Sequence, residues 1–213
     1  MKLALFCLLA GVYPGWSETR GATFAPITLY TQFQQAPPER VMQAVQEEVE
    51  SIMAPIGLRF EWRDLSKAGA HEVSAELAVV TFKGRCDAAG LTTRSRFEGA
   101  LGWTHVSDGQ ILPFTDIGCD RVREFTQSGL LLFRPRDREE KYGRALGRVL
   151  AHELYHIFAN TTRHASMGVA KEAYNVQDLL ADDFQFQARE SHMLRTNRPR
   201  VAVENAWAKP GTM

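Results

Sequence analysis

The chain has 213 residues, 45% of them hydrophobic and 23% charged, with 25 basic side chains against 25 acidic ones. That length suits one ordinary domain with its own core, and the balanced charge argues against a nucleic-acid binder, which carries a basic surplus. With 12 Phe and 4 Trp the composition is too aromatic for a disordered chain, and it shows no fibrous repeat.

Met1 and Lys2 precede an uncharged run from Leu3 to Val12. This is the layout of a secretory signal peptide, too short to cross a bilayer. Gly15 and Ser17, small residues two apart, put cleavage after Ser17, so 1–17 is the expected signal segment; a site nearer Ala22 is the alternative. Cys7 leaves with it. The two cysteines that remain, Cys86 and Cys119, are expected to form a disulfide in an oxidising, extracytoplasmic compartment, periplasmic or extracellular. No other run reaches the about 18 apolar residues of a membrane span, so no membrane association is expected after cleavage.

Ile27–Phe33 alternates in β-branched and aromatic residues and reads as a strand. Pro37-Pro38 then opens a helix whose Val41, Val45, Val49, Ile52 and Met53 share one face, while Glu47, Glu48 and Glu50 lie elsewhere. Pro55 and Gly57 stop it, and Leu58–Trp62 alternates again. Strand, helix, strand predicts a right-handed βαβ unit with a parallel pair. Glu76–Phe82 is a short apolar run suited to a sheet interior, and residues 84–99 read as a long surface loop pinned at Cys86. Leu101–Val106 and Gln110–Phe114 flank Ser107-Asp108-Gly109, a hairpin signal. Pro113 places the second arm at a sheet edge or strand end, because proline cannot donate to a ladder.

Asp137, with Glu140 three residues on, is a capping-box variant that opens a helix. Leu146, Leu150, Leu154 and Ile157 continue its apolar face, and Asn160 suits the left-handed position that ends it. A further helix is expected near Asn175, with Leu179, Leu180 and Phe184 inward. From Asn197 the residues turn to Pro, Arg, Gly and Lys, a mobile tail over 197–213. The elements predict a single domain of mixed α/β class.

Inside the long helix stands His152-Glu153-Leu154-Tyr155-His156, an H-E-x-x-H sequence. Residues four apart stack on one helix face, so the two imidazoles converge on a metal ion. Glu153 lies one step round, within reach of a water at that metal, where a carboxylate acts as general base. Zinc needs a third protein ligand. His164 is the first candidate, because a chain that ends its helix at Asn160 can curl back; Glu172 and Asp178 are the alternatives. Tyr155 and Tyr174 are readable as oxyanion donors or as packing residues. His105 is open to a cleft or a surface role, and His71 and His192 show no partner pattern. Cys86 as a latent zinc thiolate is the alternative to the disulfide, and the sequon at Asn160 reads as incidental. Arg134, Arg136 and Arg138 read as a solvated charge run.

Here the sequence resembles the zincin metallopeptidases, and within them the metzincins, whose pattern is H-E-x-x-H-x-x-G-x-x-H followed by a methionine turn. HELYHIFANTTRH matches at His152, Glu153 and His156, with Asn160 one position beyond the turn glycine and His164 two residues late. Met167 and Met193 are the possible turn methionines, with core packing the alternative for both. The resemblance implies a twisted mixed sheet with an active-site helix over a catalytic domain at 18–196. It also implies Zn2+ and an edge strand that holds an extended peptide or protein substrate through main-chain hydrogen bonds. Leu101–Phe114, with Gly102, Trp103 and Pro113, would supply that ledge. The activity implied is peptide-bond hydrolysis; a non-catalytic binding protein on the same scaffold and a non-peptidase zinc hydrolase are the alternatives.

Overall fold

The computed structural model describes residues 26–69, 73–93, 97 and 99–197. The expected signal segment, His71 and all of the expected tail except Asn197 lie outside them. Strands β1 (Ile27–Phe33) and β2 (Phe60–Asp64) pair in parallel across helix α1 (Glu39–Met53), as strand–helix–strand predicts. Strand β3 (Leu77–Lys83) pairs in parallel with the other side of β1, and β5 (Gln110–Gly118) in parallel with β3. Strand β4 (Gly102–Ser107) runs antiparallel to β5 and completes a five-stranded mixed sheet in the order β2-β1-β3-β5-β4.

The edge is therefore β4, the first arm of the hairpin, and not the arm that carries Pro113. Two features accommodate that proline. The β4–β5 register shifts between Thr104 and Val106, which face Thr115 and Ile111, and β3 pairs with β5 only from Phe114 onward. Proline at such a bulge removes no ladder hydrogen bond. Asp108 and Gly109 turn the hairpin with φ of 51° and 76°, the left-handed pair that a two-residue turn requires.

Along β3, Ala78, Val80 and Phe82 are buried while the residues between them are half-buried, so one face of the sheet carries the core. Val41, Val45, Val49, Ile52 and Met53 of α1 are all buried, each contributing roughly 1.5–3 kcal/mol. Helix α3 (Arg138–Phe158) crosses α1 at two glycines. A Cβ on Gly143 would lie 2.5 Å from Val41 O, and one on Gly147 2.9 Å from Glu48 Cβ. Only glycine permits this approach. Glu48 does not lie away from the core with its neighbours: it is buried and pairs with Arg148, which has 0% exposure, at 2.6 Å. A charged residue on an otherwise polar stretch gives no sign that its partner waits 100 residues on.

Helix α2 (Cys119–Leu130) has no start signal in the sequence, because it follows β5 directly and its N-cap, Gly118, has no side-chain cap. The expected capping box at Asp137 does not form either. A 3-10 turn over Pro135–Asp137 precedes α3, and the Asp137 carboxylate accepts from Arg134 Nε at 2.8 Å. Arg136 also faces Asp137, while Arg138 donates to the Phe133 carbonyl, so the arginine run is locally paired. Downstream, α4 (Val176–Leu180) opens with a complete capping box of Asn175 and Asp178, and buries Leu179. Leu180 and Phe184 are half-buried, though the helix stops before Phe184. Helix α5 (Ala188–Thr196) buries only Glu190 and Leu194, too little periodicity to be read from sequence.

Cys86 and Cys119 are joined, with Cα atoms 4.8 Å apart, so the thiolate alternative for Cys86 falls away. The bond ties the loop after β3 to the first residue of α2. Thr92 N adds a hydrogen bond to Gln127 Oε1 at 3.0 Å, and Phe97 packs edge-on to Phe125.

Candidate metal centre

The site grows from the C-terminal half of α3. Leu146, Leu150 and Leu154 are buried in the core and hold the helix in place, while His152 and His156 emerge one turn apart on another face. Helix α3 ends as its sequence predicts. Asn160 adopts a φ of 46°, Thr161 N donates to His156 O, and Asn160 N donates to Ile157 O. These are the two hydrogen bonds of a Schellman ending. Asn197, expected in the tail, is docked: its Nδ2 donates to Ala159 O at 2.6 Å. The turn at Asn160 sends the chain back, and His164 stacks on His152 at 5.2 Å between ring centroids and meets His156 edge-on at 4.9 Å.

The ligand atoms of His152, His156 and His164 all lie within 4.8 Å of one another. Among the described residues this cluster includes neither Glu172 nor Asp178. Glu172 lines the same cavity, exposed as His164 is, but stands outside the cluster, and Asp178 is engaged by the α4 capping box and by Lys171 at 2.5 Å.

Hydrogen bonding sets the imidazole tautomers. His152 Nδ1 donates to Val169 O at 2.8 Å and His156 Nδ1 to Thr161 O at 2.7 Å. Carbonyls only accept, so each Nδ1 carries a proton and each neutral ring presents an Nε2 lone pair. These two Nε2 atoms face each other at 3.1 Å. With both Nδ1 protons committed, no hydrogen bond joins them; two lone pairs at that distance are reconciled by a shared cation. Burial keeps the rings neutral, holding His152 down to a pKa of about 3, with the neighbouring His156 adding to the effect, and lowering His156 as well. The residues present fit a metal ion by this chemistry.

Glu153 is buried beside the triad. Burial raises its carboxyl to about 7, against the opposing effect of hydrogen bonds from Thr104. Thr104 Oγ1 donates to Glu153 Oε2 at 2.8 Å. Gly102 makes room for that side chain, since a Cβ there would stand 3.1 Å from both Glu153 Cγ and Oε1. A cavity of about 450 Å³ opens over the triad and Glu153, walled by Phe97, Leu101, Phe125 and Val149. Gly102 and Trp103 both line it, but the Trp103 ring also meets cations, with Lys83 Nζ 4.8 Å and Arg121 Cζ 5.6 Å from its centroid.

The remaining candidates fall elsewhere. Tyr174 lines the cavity and packs edge-on to His152, but its hydroxyl donates to Val169 O, the carbonyl that also orients His152. Tyr155 is buried against Phe186. His105 pairs with Asp116 at 2.9 Å, which Lys83 also reaches at 2.8 Å, away from the triad. His192 is exposed. Met167, at 60% exposure, is neither a core residue nor a floor beneath the rings, whereas Met193 packs against the core. Sequence reading missed Thr104, which carried only the signal that it shares a strand face with Gly102. It also missed the Val169 and Thr161 carbonyls, which no side-chain pattern announces.

The mixed sheet, the long helix with its H-E-x-x-H and the returning third histidine make a zincin-like fold around a three-histidine metal site, the arrangement of metal-dependent hydrolases. No protein-family model matches the chain, and no curated protein matches it. Among solved structures, the crystal structure of archaemetzincin from Methanopyrus kandleri is similar, with a TM-score of 0.46 and 13% sequence identity over 84% of this chain and 97% of that one. At that distance the assignment rests on the side chains of the site itself.

Proposed function

We propose that the chain is an extracytoplasmic zinc metallopeptidase in which His152, His156 and His164 hold the ion and Glu153 is the general base. The observation that carries this reading is the facing pair of Nε2 lone pairs beside a buried carboxylate. Neutral imidazoles are a zinc donor set. When bound, the ion supplies Lewis acidity, lowering the pKa of water and polarising the carbonyl to be attacked.

The chain's own residues do the rest. Val169 O and Thr161 O orient the two helix imidazoles so that Nε2 of each is the ligand atom. The Glu153 carboxylate accepts a proton from the attacking water and returns it to the leaving amine. Phe97, Leu101, Phe125 and Val149 give the cavity an apolar wall beside the reacting groups. The outer edge of β4 offers main-chain donors and acceptors to an extended peptide. The Cys86–Cys119 bond and the Leu3–Val12 apolar run support a location outside the cytoplasm.

Metal analysis and peptide hydrolysis by the Glu153→Gln variant test this directly. The variant should keep its zinc and lose turnover by roughly 100- to 10,000-fold. Undiminished hydrolysis would discard the mechanism, and a parent protein that takes up no zinc would discard the site.

A further inference from the structure

Thr104 belongs to the strand that borders the cavity, yet its hydroxyl is spent inward. Oγ1 lies 2.8 Å from Glu153 Oε2 and 3.1 Å from the main-chain oxygen of the same residue. Among the described residues it is the side chain that hydrogen-bonds this carboxylate, and the contact spans 49 residues of sequence. Gly102, two residues earlier on the same strand face, leaves the space in which the carboxylate can lean toward it.

A threonine hydroxyl carries one hydrogen and two lone pairs. While Glu153 is a carboxylate, the hydroxyl donates to Oε2. The Glu153 carbonyl 3.1 Å away is a second acceptor for the same hydrogen, so the hydroxyl is held between the side chain and the main chain of one residue.

We propose that Thr104 is the positioning residue of this site, whose hydroxyl holds the Glu153 carboxylate in one orientation at the cavity. The proposal rests on the reading of Glu153 as general base. A threonine that merely packs β4 against α3 would need its shape and not its hydroxyl.

Thr104→Val keeps the shape and removes the hydroxyl, and Thr104→Ser keeps the hydroxyl. In the zinc-loaded full chain, the valine variant should lose roughly 10- to 100-fold in kcat with little change in KM, zinc content or unfolding temperature. The serine variant should recover most of that loss. Infrared difference spectra against Glu153→Gln, taken on zinc-loaded and metal-free protein, should show the Glu153 carboxylate band displaced in the valine variant and restored in the serine variant. Equal kcat in parent and valine variant, or equal loss in valine and serine variants, would overturn the proposal. If the parent hydrolyses no peptide, the functional reading fails and the infrared arm decides alone: a band unmoved by valine refutes the positioning role, and one displaced by valine and restored by serine supports it.

Discussion

Two buried polar clusters sit one helical turn apart on α3, and they are completed in opposite ways. Around Arg148 the chain supplies everything. Nε meets Glu48 at 2.6 Å, Nη1 meets Asp178 O at 2.7 Å and Nη2 meets Ala181 O at 2.8 Å, while Arg144 shares Glu48 at 3.0 Å. Around His152 the chain supplies acceptors for acceptors: two Nε2 lone pairs face each other, and the buried Glu153 has no cationic partner among the described residues. A closed cluster ties α1, α3 and the α4 segment together; an open one of matching sign is a binding site for positive charge.

Removing His164 should break the open cluster most severely. His164→Ala is expected to weaken zinc binding by more than the roughly 10- to 100-fold typical of losing an outer hydrogen-bond partner, while Glu172→Ala keeps its metal. Chelator competition measures both, and loss of zinc from the Glu172 variant alone would reverse the assignment.

The closed cluster should fail differently. Glu48→Ala strands the Arg148 guanidinium in the core and should cost about 3–5 kcal/mol of stability, read by denaturant unfolding. The folded fraction should still bind one zinc, because nothing in the metal site contacts Glu48. Zinc should raise the unfolding temperature of the parent by mass action on the native state alone.

The smallest effect is a pH dependence within the open cluster of the metal-free protein. Glu153 titrates near 7 in the fold against an ordinary 4.5, so folding loses stability as pH rises from 4.5 to 7, where the unfolded chain gives up its proton first. His152 acts oppositely: held near 3 against 6.5, it withdraws stability as pH falls below 6.5. The two slopes oppose each other between 4.5 and 6.5. Glu153→Gln removes the first, so its stability advantage over the parent should grow across pH 4.5 to 7, reaching about 3 kcal/mol, and then level off. An advantage independent of pH would contradict the burial of a titrating carboxyl.

Several parts of this fold could be read from the residues because their causes are local. The α1 face from Val41 to Met53, the Asp108-Gly109 turn and the Asn160 helix ending each depend on side chains within a few positions of one another. The metal site was legible at His152, Glu153 and His156 for the same reason. What escaped had either no punctuation, as where β5 runs straight into α2, or a rival partner, as where Asp137 chose Arg134 over the α3 backbone. Pro113 points to a sheet edge or a strand end, but β5 lies between β3 and β4 and takes the proline at a register shift, which depends on pairings that only the folded sheet sets.

By itself, then, the sequence determined two imidazoles on one helix face, a carboxylate beside them and a break after which the chain could return. A helix repeats every 3.6 residues, and that periodicity needs no tertiary partner. Only the tertiary structure decided that His164 closes the triad, that Val169 O and Thr161 O fix the tautomers, that Thr104 reaches Glu153, and that Glu48 turns inward to Arg148. Each of these depends on the packing of loops and elements that meet only in the folded chain, and the unmet lone pairs that mark the metal site appear only then.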